Sequence, residues 1–267
     1  MRTVSLAPLT VLPCSPLEQI DIAAEVGFNA VSLRLFPVLK TDVDVMADHR
    51  LQSAIRRRIE AAQLNVLDVE VVRAAERLDV RALAPALEFA GSIGAHRLAI
   101  TGAAGGACDA PAEAAVVGRI AELCDAAERC GMGVMLEFIS YLSIRTLEDA
   151  AKIVAAVGHP GLGITVDTLH LFRSGGTVED LLAVPSERLA CLQLSDAPAA
   201  PPADLVRESF YDRKFPGEGD LPLVAILNAL PPDIPVSVEV PSSEHASLSP
   251  YKRASKAMAS LQSLHVL

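Results

Sequence analysis

The chain reads GVMLEF at Gly133–Phe138, TLEDAAKIVAAV at Thr146–Val157 and GLGITV at Gly161–Val166. The first and third stretches are short and apolar, which is typical of strands buried on both faces of a sheet. The middle stretch spaces its apolar residues as a helix does, and Thr146 stands where a capping residue is expected. A strand, a helix and a second strand in this order predict a parallel βαβ unit.

This unit recurs along the chain. The predicted strands are Arg2–Leu6, Ala30–Leu35, Asn65–Val71, His96–Thr101, Gly133–Phe138, Gly161–Val166, Ala190–Ser195 and Pro235–Val240. The predicted helices are Pro16–Val26, Asp48–Gln63, Val80–Ile93, Pro111–Cys130, Thr146–Val157, Val178–Val184, Leu221–Ala229 and Tyr251–Leu264. Eight such repeats in 267 residues match the usual size of a (β/α)₈ barrel. We therefore predict an α/β fold, with one (β/α)₈ TIM barrel domain over residues 1–267.

A doubly wound parallel sheet is the alternative architecture for the same alternation. Such sheets typically carry a glycine-rich phosphate-binding turn after the first strand. The segment Leu6–Ser15, which follows the first predicted strand, contains no glycine. The barrel is therefore the favoured fold.

The composition excludes several classes of function. The chain has 23 Lys and Arg against 33 Asp and Glu, a formal net charge of −10, whereas nucleic-acid binding needs a surplus of positive charge. Tryptophan is absent and aromatic residues make up 4% of the chain, so a stacking platform is not expected. The five cysteines form no CxxC pair, which argues against a disulfide framework or a zinc knuckle.

Membrane and secretory signals are also missing from the sequence. Pro8 and Pro13 interrupt the apolar N-terminal stretch, and no run of about 18 apolar residues occurs anywhere. We therefore expect a cytoplasmic protein that does not bind a membrane. A homo-oligomer is compatible with the sequence, which carries no signal for or against it.

Acidic and amide side chains stand near the ends of four successive predicted strands. They are Glu137, Asp167, Gln193 and Glu239. Neighbouring strands of a closed barrel lie about 4.8 Å apart, so these side chains can converge at the barrel mouth. Three carboxylates that converged without a cation would repel one another. Because all four donors are hard oxygen atoms, we predict one divalent metal ion there, Mn²⁺, Mg²⁺ or Co²⁺.

Four further residues are candidates for contact with the substrate. His170 lies three residues beyond Asp167, where it either reaches a substrate oxygen or makes a structural hydrogen bond. Arg213 precedes a Pro-Gly-Glu-Gly turn, and a guanidinium there suits a carboxylate or phosphate group of the substrate. Arg73 follows the third predicted strand and offers a second anion contact, while Glu70 either acts on the substrate or pairs with Arg73.

These residues resemble the xylose isomerase-like TIM barrels, a family of sugar and sugar phosphate isomerases, epimerases and related enzymes. The most specific segments are Asp167-Thr-Leu-His170 and Arg213-Lys-Phe-Pro-Gly-Glu-Gly-Asp220, together with Glu137 and Glu239. The resemblance implies that Glu137, Asp167, Glu239 and the residue at position 193 bind a metal, and that His170 and Arg213 face the substrate. Typical epimerases have His where this chain has Gln193. That difference resembles the bacterial 3-dehydroshikimate dehydratases.

The residues and the resemblance together predict proton abstraction next to the carbonyl of a small polyhydroxylated keto compound, with an anionic group near Arg213. Glu137 and Glu239 are the expected proton carriers, and His170 assists at a hydroxyl. Reprotonation would give isomerisation or epimerisation. Loss of a hydroxyl would instead make the enzyme a dehydratase of the 3-dehydroshikimate type, and the sequence leaves this alternative open. A non-catalytic small-molecule-binding barrel is the alternative of another class, whereas a DNA-repair endonuclease would need more histidines at the strand ends.

Overall fold

Eight parallel strands pair in sequence order, and the last returns to the first to close a barrel. The strands are β1 (Val4–Leu6), β2 (Ala30–Arg34), β3 (Asn65–Ala74), β4 (Ala95–Gly102), β5 (Gly133–Glu137), β6 (Leu162–Asp167), β7 (Leu189–Leu194) and β8 (Val236–Val238). The computed structural model describes residues 2–40, 42–105 and 110–266. Closure joins Leu6 of β1 to Val238 of β8 and confirms the predicted (β/α)₈ barrel.

The helices surround the barrel. They are α1 (Pro8–Val11), α2 (Pro16–Val26), α3 (His49–Ala62), α4 (Ala84–Ser92), α5 (Ala110–Glu128), α6 (Leu147–Val157), α7 (Thr168–Arg173), α8 (Val178–Leu182), α9 (Leu205–Tyr211), α10 (Leu223–Ala229) and α11 (Pro250–Ser263). Within the described ranges, no helix is long and apolar enough to cross a membrane.

The predicted helices are present with small shifts at their ends. Thr146 caps α6 as expected, because its side chain accepts the Asp149 N–H while the Asp149 carboxylate accepts the Thr146 N–H. Three further helices were not predicted, because they are too short to show a helical period: α1, α7 and α9 have four, six and seven residues.

One boundary differs in a way that affects the site. The third strand was expected to end at Val71, with Arg73 beyond it. In the structure β3 continues to Ala74, because Arg73 and Ala74 pair with Thr101 and Gly102 of β4. Arg73 is therefore a strand residue, not a loop residue.

A buried ion pair ties two of the loop helices together. Arg173 of α7 and Glu208 of α9 lie 2.7 Å apart, and their side chains are 2% and 4% exposed. Arg173 also donates to the backbone oxygen of Pro198. Helix α9 is thereby held against the helix that follows β6.

Breaking this pair should cost more stability than breaking a surface pair. Glu208→Ala leaves the Arg173 guanidinium buried without its partner, and we expect a loss of about 3 kcal/mol in the free energy of unfolding. Glu122→Ala is the matched control, because Glu122 pairs with Arg119 at the surface and should lose less than about 1 kcal/mol. Urea denaturation measures both, and equal losses would contradict a structural role for the buried pair.

Candidate active site

A pocket opens at the carboxyl ends of the strands. Among the residues that line it are Arg34, Glu70, Glu137, Gln193 and Glu239, which come from five different strands or from the residue just after one. The carboxyl face is where barrels of this kind carry their chemistry. We call this cavity the mouth pocket.

Two of the predicted metal ligands and one histidine form a compact cluster. One donor atom each of Glu137, Asp167 and His170 lie within 4.8 Å of one another. Asp167 ends β6 and caps α7, since its Oδ1 accepts the His170 N–H at 3.0 Å. The first turn of α7 therefore places the His170 side chain beside the two carboxylates.

Arg213 lies among these carboxylates and is 2% exposed. Its Nη1 donates to Asp167 Oδ2 at 2.6 Å, and its Nη2 lies 3.2 Å from Glu239 Oε2. Its Nε donates to the backbone oxygen of Ser209 at 3.0 Å. The sequence predicts that this guanidinium contacts a carboxylate or phosphate group of the substrate. Arg213 lines the mouth pocket, where it pairs with two predicted metal ligands whose buried carboxylates would otherwise lack a compensating charge.

The ionisation of the carboxyl groups reflects this crowding. Burial, together with Asp167 and Glu239, raises the pKa of Glu137 well above its usual value. Burial raises the pKa of Glu239 to about 7 against the opposing effect of Arg213. Burial also acts to raise the pKa of Asp167, but Arg213 and His170 hold it below its usual value. Negative charge at the site therefore exceeds what one guanidinium compensates.

His170 is neutral in these surroundings. Burial lowers the pKa of His170 to about 4, although Asp167 acts in the opposite direction. A neutral imidazole carries one nitrogen that accepts a hydrogen bond or binds a metal. The His170 ring therefore has lone-pair electrons available at the site.

The donor set fits a divalent cation. Gln193 Oε1 and His170 Nδ1 are buried and have no hydrogen-bond partner among the described residues. Gln193 is the strand partner of Asp167, so its amide oxygen belongs to the same end of the barrel. Leaving a buried acceptor unpaired costs about 1–3 kcal/mol, and a cation would pair with it. An all-oxygen set with Gln193 suits Mn²⁺, Mg²⁺ or Co²⁺, whereas a set that includes His170 also suits zinc.

Glu70 and Arg73, the two predicted substrate residues on β3, do not pair with each other. Glu70 Oε1 accepts hydrogen bonds from Arg34 Nη2 at 2.6 Å and Nε at 3.0 Å, so Glu70 pairs with Arg34 and not with Arg73. Arg34 also contacts Asp42 at 3.3 Å. Arg73 is an exposed residue that lines the mouth pocket. Arg34 was not predicted as a site residue, although its position at the end of β2 was a signal that the sequence offered.

Two more residues that were missed hold His170. The Tyr141 ring packs edge-on against the His170 ring, with centroids 5.7 Å apart. The Tyr141 hydroxyl donates to Ser209 Oγ at 3.0 Å, and Ser209 Oγ lies 3.4 Å from His170 Nε2. Tyr141 lies in the loop after β5 and Ser209 on α9, so a search of strand ends could not find them.

Comparison with known proteins gives partial matches in sequence. Inosose isomerase of Bacillus velezensis is 33% identical over 113 residues, which are 42% of this chain and 39% of that protein. The 3-dehydroshikimate dehydratase of Pseudomonas putida is 26% identical over 84 residues, 32% of this chain and 13% of that protein. This chain therefore matches well under half the length of either relative.

The match in fold is nearly complete. The crystal structure of the IolI protein with a bound zinc atom superposes with a TM-score of 0.85, at 20% identity, over 98% of this chain and 97% of that one. At this identity the likeness establishes the fold. Residues 20–264 match the family described as xylose isomerase-like TIM barrel. Because that match spans most of the chain, the protein belongs to the xylose isomerase-like TIM barrel family.

Proposed function

We propose that the chain is a divalent-metal-dependent isomerase or epimerase of a small polyhydroxylated keto compound. The observation that carries this proposal is the cluster of carboxylates at the mouth: Asp167 and Glu239 both contact Arg213, and Glu137 lies beside Asp167. The unpaired oxygen of Gln193 lies at the same end of the barrel. The similarity to inosose isomerase supports a cyclic polyol ketone as the substrate class.

The cation would be held by four side chains: Glu137, Asp167, Gln193 and Glu239. The chemistry that a divalent cation supplies at such a site is polarisation of a carbonyl group and compensation of negative charge. Arg213 keeps its contacts to the Ser209 backbone and directs its guanidinium at the same carboxylates. It thereby adds a second positive charge where an enediolate would develop.

The proton moves between carbon and a carboxylate of this chain. Glu137 and Glu239 enter the mouth pocket from β5 and from the end of β8, and either one takes the proton from the carbon next to the carbonyl. Return of the proton to the neighbouring carbon gives isomerisation, and return to the opposite face gives epimerisation. Ser209 and Tyr141 hold the His170 ring, with Nε2 beside Ser209 Oγ, so Nδ1, which has no partner among the described residues, is the nitrogen that assists at a substrate hydroxyl.

Arg73 is the best candidate for an anionic group of the substrate. Arg213 and Arg34 already contact two acidic side chains each. Arg73 is exposed at the pocket, so a phosphate or carboxylate can reach it without breaking a buried pair. A soluble small molecule as partner and a cytoplasmic location remain parts of this proposal.

Dehydration of a 3-dehydroshikimate-like compound is the second candidate. It begins with the same proton abstraction, but a β-hydroxyl leaves instead of a proton returning. Gln193 at a metal-ligand position favours it, and so does the partial match to the Pseudomonas putida dehydratase.

Glu239→Gln should weaken metal binding, because an amide replaces a charged ligand. We expect Mn²⁺ to raise the melting temperature of the wild-type protein, and the variant to need at least about tenfold more Mn²⁺ for the same rise. Glu244→Gln is the control, since Glu244 is an exposed residue that pairs with Lys214. If Glu239→Gln responds to Mn²⁺ as the wild type does, Glu239 is not a ligand.

The reaction class can be read from proton exchange. We expect the Mn²⁺-loaded protein in D₂O to place deuterium next to the carbonyl of inosose, a ketose or a ketose phosphate, and to lose this activity with a chelator. Mass spectrometry measures the exchange. An ultraviolet-absorbing aromatic product from 3-dehydroshikimate would establish the dehydratase instead. No exchange and no dehydration with any of these compounds would contradict both and favour a binding protein.

A further inference from the structure

A second layer of polar side chains lies beneath the strand-end residues. Side chains two positions apart on a strand face the same side, so the residues two positions before Arg34, Glu70, Asp167 and Glu239 also point into the barrel. These residues are Ser32, Asp68, Thr165 and Ser237, and they are 1%, 2%, 3% and 4% exposed. Barrel interiors are usually filled with bulky branched side chains. This layer carries hydroxyls and a carboxyl group instead.

Only one of the two carboxyl oxygens of Asp68 has a hydrogen-bond partner among the described residues. Its Oδ1 accepts a hydrogen bond from Ser32 Oγ at 2.5 Å. Ser32 Oγ in turn lies 2.9 Å from Ser5 Oγ and 3.4 Å from Ser237 Oγ. Asp68 Oδ2 is buried and has no hydrogen-bond partner in the described parts of the chain, and the same holds for Thr165 Oγ1. Both residues line the mouth pocket, so a molecule that enters it deeply can reach both.

The surroundings of Asp68 favour a neutral, hydrogen-bonding ligand. The nearby Glu70 is already paired with Arg34, and it would repel an anion from this depth. Burial and the charge of Glu70 raise the pKa of Asp68 well above its usual value. A protonated carboxyl both donates and accepts, as a hydroxyl does.

We propose that Asp68 and Thr165 form a floor of the mouth pocket that binds hydroxyl groups of the substrate far from its reacting carbon. β3 and β6 lie three strands apart in the ring, so the two residues approach the pocket from different sides. A ring that carries several hydroxyls can place one against each residue. This inference rests on the proposed function for its substrate class. It adds a specificity-determining pair that takes no part in the proton transfer.

The floor should discriminate against analogues of the substrate that lack the matching hydroxyl group. A substrate that lacks the matching hydroxyl leaves Asp68 Oδ2 unpaired in the complex, whereas the full polyol satisfies it. Sites built to hydrogen-bond a hydroxyl discriminate strongly against the analogue without it. Loss of Asp68 should therefore remove the preference for the polyol and not merely weaken binding of every ligand.

The test compares the binding of a non-reacting polyol with the binding of analogues that each lack one hydroxyl. Calorimetry with the Mn²⁺-loaded protein, myo-inositol and the monodeoxy inositols gives the affinities without turnover. We expect the wild type to prefer myo-inositol over one of the deoxy compounds by about 10- to 100-fold, and Asp68→Ala to abolish that preference. Asp68→Asn, which keeps hydrogen-bonding groups, should retain most of it.

Met135→Leu is the matched control, because Met135 lines the same pocket with an apolar side chain. It should keep the preference, and melting temperatures of all variants establish that they fold. Equal losses for the polyol and every deoxy analogue in Asp68→Ala would show a structural role and overturn the floor. So would a wild type that does not bind myo-inositol. If the floor is overturned in one of these two ways but the wild type still exchanges protons, the proposed reaction stands without the floor. If the wild type binds the polyol selectively but exchanges no proton, the proposed reaction is contradicted and the floor is not.

Discussion

The charge of Arg213 is the constraint on which the arrangement of the site depends. Three carboxylates from strand ends meet at the barrel mouth, and the guanidinium contacts two of them, at 2.6 Å from Asp167 and 3.2 Å from Glu239. Even so, burial raises the pKa of Glu239 to about 7, and burial together with Asp167 and Glu239 raises the pKa of Glu137 well above its ordinary value. A divalent cation would compensate the negative charge that remains.

Several parts of the fold hold Arg213 in place. The backbone N–H of Arg213 donates to the backbone oxygen of Pro241, which lies beyond β8. The neighbouring residue Lys214 forms backbone hydrogen bonds with Asp196, which lies beyond β7. The Asp196 carboxylate accepts the N–H groups of Gly217 and Leu221, which folds the following turn back on itself. Gly219 is required there, since a Cβ would collide with Asp196 and the backbone of Ala197. These contacts fix the backbone of the segment after α9 and so fix the position of the Arg213 guanidinium.

The strands and their terminal carboxylates could be predicted because both signals are local. Each strand is a short apolar run, and Glu137, Asp167 and Glu239 interrupt such runs where polarity is costly. The partners of Arg213 and Glu70 could not be predicted, because they depend on strand register and on loops that the sequence pattern does not place. Asp68 lies in a strand that was predicted, but only the closed barrel shows that one of its oxygens has no partner. Short helices such as α7 and α9, which position His170 and Ser209, carry too few residues to show a period.

The central claim is that Glu137, Asp167, Gln193 and Glu239 share one divalent cation beside Arg213. A crystal structure of the Mn²⁺-loaded protein, with anomalous scattering recorded at the manganese absorption edge, tests it most directly. We expect one anomalous peak within about 2.0–2.6 Å of an oxygen atom of each of these four side chains. A peak bound elsewhere, or no peak while Gln193 Oε1 stays unpaired and Arg213 alone bridges Asp167 and Glu239, would show that these side chains do not share a cation.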